Sequence, residues 1–399
     1  MVKIHYIFFA LFIILHIIYA NNVLAEEINP FSEHSPIKET FDKKIIIWNY
    51  DDIRITDPYS SRGANFISIT EDVTKYGGYV GWGFIPGVNE TRSYPSPQNL
   101  TYKQENVDRM NVLTSDERIF MFYHDWDHNW YREGYESPWL QNLSFQRQAM
   151  NHVVWTFYNN FGYNLSSFLG GGLMTNYNTT VVLAERDILL LYGNIDVTEV
   201  AEGCRYLQVQ GDSLVVGAEY LEATYGIDSW KENFTRLNEK YPVIRIGTHP
   251  FEFNETTLAE WAEFTEWVYT NHDLVNMNYT DAYNYKHDLE SIQLDKHNNA
   301  IYTLSFKDAF NPLEITWSEP GDWIVEYAHN QTKYGNLNVS SVSESIILEP
   351  GSEYTIRLAS SSINTNDDTT KDTPGFELIF AVGALILILF FKRRKIANN

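Results

Sequence analysis

The stretch at residues 45–52, IIIWNYDD, determines the fold of the larger part of the chain. Its apolar run predicts a buried strand, and the acids Asp51 and Asp52 follow at the carboxyl end of that strand. Residues 65–78, NFISITEDVTKYGG, predict a helix that ends at a pair of glycines. Residues 79–86, YVGWGFIP, predict a second strand, so the order of elements indicates an α/β barrel or a doubly wound sheet.

The alternation of strands and helices continues to about residue 290. A third strand, IFMFY, ends at Tyr123 before a histidine-rich turn, and residues 144–164 carry apolar side chains at helical spacing. We therefore expect one distorted (β/α) barrel over residues 40–290. Residues 291–359 contain short strand-like runs separated by Pro, Gly and Asn, which predict a small antiparallel β-sandwich domain.

Both ends of the chain carry features of an exported protein. Residues 1–25 contain one lysine, an apolar run and the ending Val-Leu-Ala, which predict a secretory signal peptide. A signal anchor that stays in place is the alternative. Residues 360–375 are polar and predict a disordered stalk. Residues 376–399 hold an apolar run followed by four basic residues, so we expect the preceding chain to lie outside the cell.

The tripeptide Pro374-Gly375-Phe376, followed by Glu377, stands before that apolar run. Together with the basic tail it resembles the archaeal Pro-Gly-Phe C-terminal sorting signal. The resemblance implies that a sortase-like enzyme removes the segment and that the mature end receives a lipid. The apolar run is shorter than the roughly 20 residues that a comfortable span needs. Residues 376–399 are therefore either a lasting anchor or a processed signal, and both hypotheses place the protein at the outer face of the cell membrane.

Composition excludes some partners and some sources of stability. The formal net charge of −23 argues against nucleic acid and anionic lipid as partners. Cys204 is the single cysteine, so no intrachain disulfide is possible. Asn-x-Ser/Thr sequons suit an extracytoplasmic glycoprotein, although a chain rich in asparagine produces several by chance. They lie at Asn89, Asn99, Asn142, Asn164, Asn178, Asn233, Asn254, Asn278, Asn330 and Asn338.

Three predicted strand ends carry side chains that could perform chemistry. Asp51 and Asp52 end the first strand, and we expect neighbouring strand residues to point to opposite sides. His124 and His128 close the third strand and could converge on one metal if the segment turns helically. His249 ends a later strand. Each feature also has a structural explanation. The two acids could belong to an ordinary turn, the histidine pair to a surface turn, and His249 could be a structural histidine.

The ordered set of motifs resembles the polysaccharide deacetylase family with the NodB homology domain. The matching stretches are Asn49-Tyr50-Asp51-Asp52, His124-Asp125-Trp126-Asp127-His128 and Ile246-Gly247-Thr248-His249. The resemblance covers about residues 43–290. It implies a distorted (β/α) barrel of the NodB type with an open groove suited to a polymer, and a glycan outside the cell as the partner.

The resemblance also implies roles for five residues. Asp52, His124 and His128 would bind a divalent metal, which is zinc in most members of the family. Asp51 would be the general base and His249 the general acid. Such a set suits the removal of acetyl groups from glycans, because a metal with an open position activates water and polarises a carbonyl.

The departures from the family pattern leave the activity open. The stretch 167–172 lacks the Arg and Pro of the segment whose Arg orients the base, and Arg186 is a candidate replacement. Asp187 and Asp196 are candidates for a reduced Asp-rich motif, and Asp125 stands where a small hydroxyl residue is usual. The alternatives are a surface glycan-binding or structural protein on the same fold with little or no turnover, and a hydrolase of other C–N bonds.

Aromatic residues stand close to the proposed site strands. Trp126 and Trp130 could stack on sugar rings or fill the core, and the sequence favours neither interpretation. For Trp48 we expect a place in the core.

Overall fold

The computed structural model describes residues 26–28, 35–37, 44–54, 61–86, 102–124, 138–211, 215–327, 333–339 and 344–359. The predicted signal peptide, the predicted stalk and the predicted C-terminal segment fall outside these ranges. None of the helices within them combines the length and the apolar character that a membrane crossing requires.

After a short first strand, β1 (Glu26–Ile28), the chain alternates strands with helices. The strands are β2 (Lys44–Ile53), β3 (Val80–Phe84), β4 (Ile119–Tyr123), β5 (Ser167–Leu169), β6 (Leu189–Asp196), β7 (Val209–Gln210), β8 (Val216–Tyr220), β9 (Val243–Thr248) and β10 (Leu274–Asn276). The helices are α1 (Ser61–Thr74), α2 (Gln104–Leu113), α3 (Leu143–Phe161), α4 (Tyr177–Ala184), α5 (Gly226–Lys240), α6 (Glu255–Asn271) and α7 (Tyr279–Glu290).

Strands β2 to β9 form one parallel sheet in the order β7-β6-β5-β4-β3-β2-β9-β8, and β10 pairs with the start of β2. The prediction of an α/β fold with a parallel sheet is thereby confirmed. In the described part of the chain no ladder joins the end strands β7 and β8. The side-chain amide of Gln208 reaches from one end to the other and donates to the Val216 carbonyl at 3.4 Å.

The alternation of side chains along β2 separates two buried layers. Ile46, Trp48 and Tyr50 pack in the cluster that includes the helices around the sheet, so Trp48 is a core residue as expected. Ile45 and Ile47 face the other way, into a second cluster. Asn49 and Asp51 continue this second row, which brings polar side chains to the inner face near the carboxyl end of the strand.

Strands between Gln293 and Leu358 form antiparallel sheets, as expected for residues 291–359. The strands are β11 (Gln293–Asn298), β12 (Ile301–Phe306), β13 (Leu313–Trp317), β14 (Gly321–Tyr327), β15 (Lys333–Val339), β16 (Glu344–Leu348) and β17 (Ser352–Leu358). They make a six-stranded sheet, β1-β11-β12-β17-β14-β15, and a pair, β13-β16.

Residues from the start of the chain belong to these antiparallel sheets, which the sequence analysis missed. Glu26–Ile28 pair with β11, and Ile37 bridges to Trp317. Three residues and an isolated bridge carry too little periodicity to be recognised in the sequence.

Candidate active site

The carboxyl ends of strands β2, β4 and β9 place four of the five predicted site residues at one edge of the parallel sheet. Asp51 and Asp52 lie in β2, His124 directly follows β4 and His249 follows β9. Asp51 and His124 are buried, with 1% and 3% of their surface exposed. His128 falls outside the described residues, as do Asp125, Trp126 and Trp130.

Asp51 and Asp52 both approach the same imidazole, although neighbouring strand residues were expected to point to opposite sides. His124 Nε2 lies 3.3 Å from Asp52 Oδ1 and 3.9 Å from Asp51 Oδ2. The cause is local, because the pairing of β2 with β3 shifts register between Tyr50 and Ile53. Asp52 also has a φ of +63°, which turns the chain out of the pleat.

The hydrogen bond of His124 Nδ1 determines which ring nitrogen carries the proton. Nδ1 lies 3.1 Å from the Leu169 carbonyl oxygen, which can only accept, so Nδ1 carries the proton. Nε2 then faces Asp51 and Asp52. Burial disfavours the imidazolium, but these carboxylates outweigh it and raise the pKa of His124 above its ordinary value.

The donor set at this point fits a divalent metal. A histidine that binds a metal usually donates its other N–H to a carbonyl or carboxylate, and the Leu169 carbonyl takes that role for His124. Asp52 Oδ1 and His124 Nε2 are an oxygen and a nitrogen of the kind that zinc accepts, side by side at 3.3 Å. They are the two predicted ligands within the described residues.

Asp51 is held by hydrogen bonds from two side chains. Tyr220 Oη donates to Asp51 Oδ2 at 2.5 Å, and Asn49 Nδ2 donates to Asp51 Oδ1 at 3.0 Å. Burial and the adjacent Asp51 charge raise the pKa of Tyr220, so its hydroxyl stays protonated and remains a donor. Asp51 therefore sits as an acceptor in a fixed orientation.

A buried arginine completes this network, and it is not the one that the sequence suggested. Arg245 Nη1 donates to Asn49 Oδ1 at 3.1 Å, and its guanidinium lies 5.6 Å from the ring centroids of Tyr192 and Tyr220. Arg186, the predicted replacement, instead donates to Asn151 on the surface. The arginine that supports the proposed base Asp51 is thus Arg245 in β9.

The space for Asp51 depends on a glycine in the neighbouring strand. A Cβ atom at Gly83 would lie 3.0 Å from Asp51 Oδ1 and 2.8 Å from Phe122 Cζ. Real Cβ atoms essentially never approach that closely to a ring carbon, so glycine allows the carboxylate and the ring to share this place.

His249 has its own carboxylate partner in Glu222, which the sequence analysis missed. Its Nδ1 lies 3.2 Å and 3.1 Å from Glu222 Oε1 and Oε2, and its ring stacks on Tyr220 with centroids 5.7 Å apart. Burial lowers the pKa of His249, but the Glu222 hydrogen bond and the charges of Asp51 and Asp52 raise it to about 9.

The carboxylates predicted for the reduced Asp-rich motif lie elsewhere. Asp187 pairs with Arg205 at 2.8 Å, and Asp196 accepts from Thr198 at the start of a 3-10 turn. Glu222 could have been sought at the end of an apolar strand, where Asp51 and His249 also stand.

Solved structures similar to this chain share little of its sequence. No protein-family model and no curated protein matches the chain. A putative polysaccharide deacetylase from Mycobacterium smegmatis matches with 12% identity and a TM-score of 0.42, covering 61% of this chain and 91% of that one. The peptidoglycan deacetylase PdaC from Bacillus subtilis matches with 13% identity and a TM-score of 0.34, covering 62% and 95%.

A family 4 carbohydrate esterase pseudoenzyme from Bacillus anthracis is a third similar structure. It shows 10% identity and a TM-score of 0.38, covering 61% of this chain and 66% of that one. These likenesses are too distant to carry an argument about what the chain does.

Proposed function

We propose that the chain is a metal-dependent deacetylase that hydrolyses acetyl groups on glycans outside the cell. The observation that carries the proposal is the meeting of Asp51, Asp52 and His124 at one sheet edge, with His249 at the same edge. We propose that Asp52 and His124, with His128, hold the metal on a barrel of the NodB type. When bound, a divalent metal such as Zn²⁺ supplies a Lewis acid that polarises a carbonyl and acidifies water.

The acid and base are assigned by their environments. Asp51 accepts hydrogen bonds from Tyr220 and Asn49, so its carboxylate is oriented and able to accept a proton from attacking water. His249, with its pKa raised to about 9, is protonated at neutral pH and can donate to the departing amine or alcohol. Two titratable groups with such different environments suit opposite roles in one reaction.

An aromatic side chain beside His249 supports a sugar as the substrate. The Phe251 ring lies 5.5 Å from the His249 ring, and 37% of the residue is exposed. An exposed aromatic face stacks well on a pyranose ring. We propose that Phe251 contacts the sugar that carries the acetyl group.

A second candidate is a glycan-binding surface protein with little or no turnover. It is favoured by the contact between Tyr220 and Asp51, because a donor at 2.5 Å occupies an oxygen that a general base needs. The absence of an Arg in residues 167–172 points the same way.

Acetate release separates the two candidates. The purified protein, loaded with one equivalent of zinc, is incubated with acetylated oligosaccharides, and released acetate is compared between wild type and Asp51→Asn. Asp187→Asn, an exposed acid paired with Arg205, is the matched control. The deacetylase proposal predicts release that falls by about 10⁴-fold in Asp51→Asn and is unchanged in the control. Bound metal without release across a broad substrate panel would favour the binding protein.

We also propose that the protein is displayed at the outer face of the cell membrane, by residues 376–399 or by a lipid that replaces them. The support is the sequence alone, namely the apolar run with its basic tail. Mass spectrometry of the mature protein tests the choice, because a peptide containing Ile386 excludes removal of the segment.

A further inference from the structure

Beside the proposed centre, Glu222, His249 and Glu252 bring three potential metal ligands together. One ligand atom from each residue lies within 4.8 Å of the other two. His249 Nδ1 already contacts both Glu222 oxygens, at 3.1 Å and 3.2 Å. Two carboxylates and one imidazole are a ligand set that zinc accepts.

Two side-chain hydrogen bonds hold the backbone at Leu221 and Glu222. Trp230 Nε1 donates to the Glu222 carbonyl at 3.0 Å, and Thr248 Oγ1 donates to the Leu221 carbonyl at 2.7 Å. These contacts lock the end of β8 to α5 and to β9. Only side-chain rotation is then needed to adjust the distances of Glu222 and His249 to a bound ion.

Glu252 is held by the turn that follows His249. Pro250–Glu252 form a 3-10 turn with proline at its first position, and the Glu252 N–H donates to the His249 carbonyl at 3.1 Å. Proline restricts the backbone of such a turn in advance. The second carboxylate is therefore carried on the same rigid segment as the imidazole.

The charges at this point are unbalanced. Within the described part of the chain, no lysine or arginine forms an ion pair with Glu222 or Glu252, and His249 is the cationic group beside them. The side chains of Glu222 and His249 are each 23% exposed, so an ion can reach them from solvent. A divalent cation would neutralise two adjacent carboxylates.

We infer that Glu222, His249 and Glu252 form a second divalent-cation site, which uses none of the ligands proposed for the first. Binding there would release the proton of His249 Nδ1 to solvent and convert this nitrogen from a hydrogen-bond donor into a ligand. The ring would lose Glu222 as its orienting partner. If the proposed deacetylation holds, zinc beyond the first equivalent inhibits it; the site itself does not depend on that activity.

Binding of ZnCl₂ to the metal-free protein, measured by calorimetry and by equilibrium dialysis, tests the inference. Wild type is expected to bind two equivalents. Glu252→Gln is expected to weaken one of them by about tenfold or more, and His124→Ala to weaken the other. Glu255→Gln, the same change three residues further along and outside the cluster, is the control and is expected to bind like wild type.

The outcomes separate the two sites. An equivalent that is lost in Glu252→Gln but kept in His124→Ala supports the second site, even if the first fails and no acetate is released. Two equivalents that persist in Glu252→Gln overturn it. A single equivalent that only His124→Ala removes also overturns it and leaves Glu222 as a hydrogen-bond partner of His249. Circular dichroism of each variant excludes unfolding as the cause of a loss.

Discussion

Arg245 donates a hydrogen bond to Asn49 across 3.1 Å, and both side chains are buried on the inner face of the parallel sheet. Asn49 in turn donates to Asp51. A buried cation is costly unless an opposite charge lies nearby. The chain of contacts gives Arg245 such a charge in Asp51 and gives Asp51 a fixed orientation.

We therefore expect Arg245→Met to destabilise the protein by about 3 kcal/mol, because it leaves the buried Asp51 charge without its cation. Urea denaturation of the metal-free protein measures the change. Arg245→Lys keeps the charge but loses the planar guanidinium, so its stability should lie between that of wild type and that of Arg245→Met. Arg236→Met, which removes an exposed partner of Glu219, should cost less than about 1 kcal/mol. Equal effects of the two methionine variants would contradict the buried network.

The hydroxyl of Tyr220 orients Asp51, so Tyr220→Phe should lower kcat for acetate release by about tenfold with KM nearly unchanged. Phenylalanine keeps the ring that stacks on His249, so the variant isolates the hydroxyl. Steady-state kinetics gives both constants. Tyr225→Phe, at a residue 54% exposed, is the control. A faster Tyr220→Phe enzyme would mean that the hydroxyl obstructs the base.

The raised pKa of His249 makes stability depend on pH in a defined direction. Its pKa rises from 6.5 to about 9 on folding. The imidazolium therefore adds stability that is fully present below about pH 6.5 and is lost as the pH rises through about 9. We expect about 2 kcal/mol from this group, allowing for its partial exposure.

Denaturation of metal-free protein between pH 6 and pH 10 tests that direction. Glu222→Gln removes the main partner of His249 and should flatten this part of the profile. Glu219→Gln, at a carboxylate that pairs with exposed Arg236, should leave it unchanged. If the stability of Glu222→Gln depends on pH as steeply as that of wild type, groups other than His249 cause the dependence.

Gly83→Ala should disturb the site from the neighbouring strand. The new methyl group would meet Phe122 and the Asp51 carboxylate, so we expect a loss of about 2 kcal/mol and weaker acetate release. Gly162→Ala is a useful comparison, because its φ of +64° costs about 1 kcal/mol while no heavy atom lies within 4 Å of the new Cβ. It should lose stability and keep activity. Full activity in Gly83→Ala would show that Asp51 has room to move.

The alternation of strands and helices and the sheet edge that carries the site could be predicted from the sequence. Strand ends are readable because an apolar run such as Ile45–Ile47 stops at polar residues, and parallel strands bring those ends to one edge. The joint approach of Asp51 and Asp52 to His124 was not readable. It depends on a register shift and a positive φ, which leave no mark in the pattern of residue types.

The supporting residues were missed for a different reason. Arg245 and Glu222 meet their partners through pairing of strands distant in sequence, whereas Arg186 and Asp187 were proposed from their place along the chain. One signal was present, since an arginine between Ile244 and Ile246 in an apolar strand must be buried. A buried arginine needs partners, so the sequence indicated polar side chains near Arg245 without indicating which ones.

Acetate release during titration of the metal-free protein with ZnCl₂ tests the central claim most directly. We predict that release from an acetylated oligosaccharide appears with the first equivalent bound, and that His124→Ala and Asp52→Asn shift its appearance to much higher zinc. Wild type that binds this equivalent and releases no acetate from any of a broad range of acetylated glycans would contradict the account.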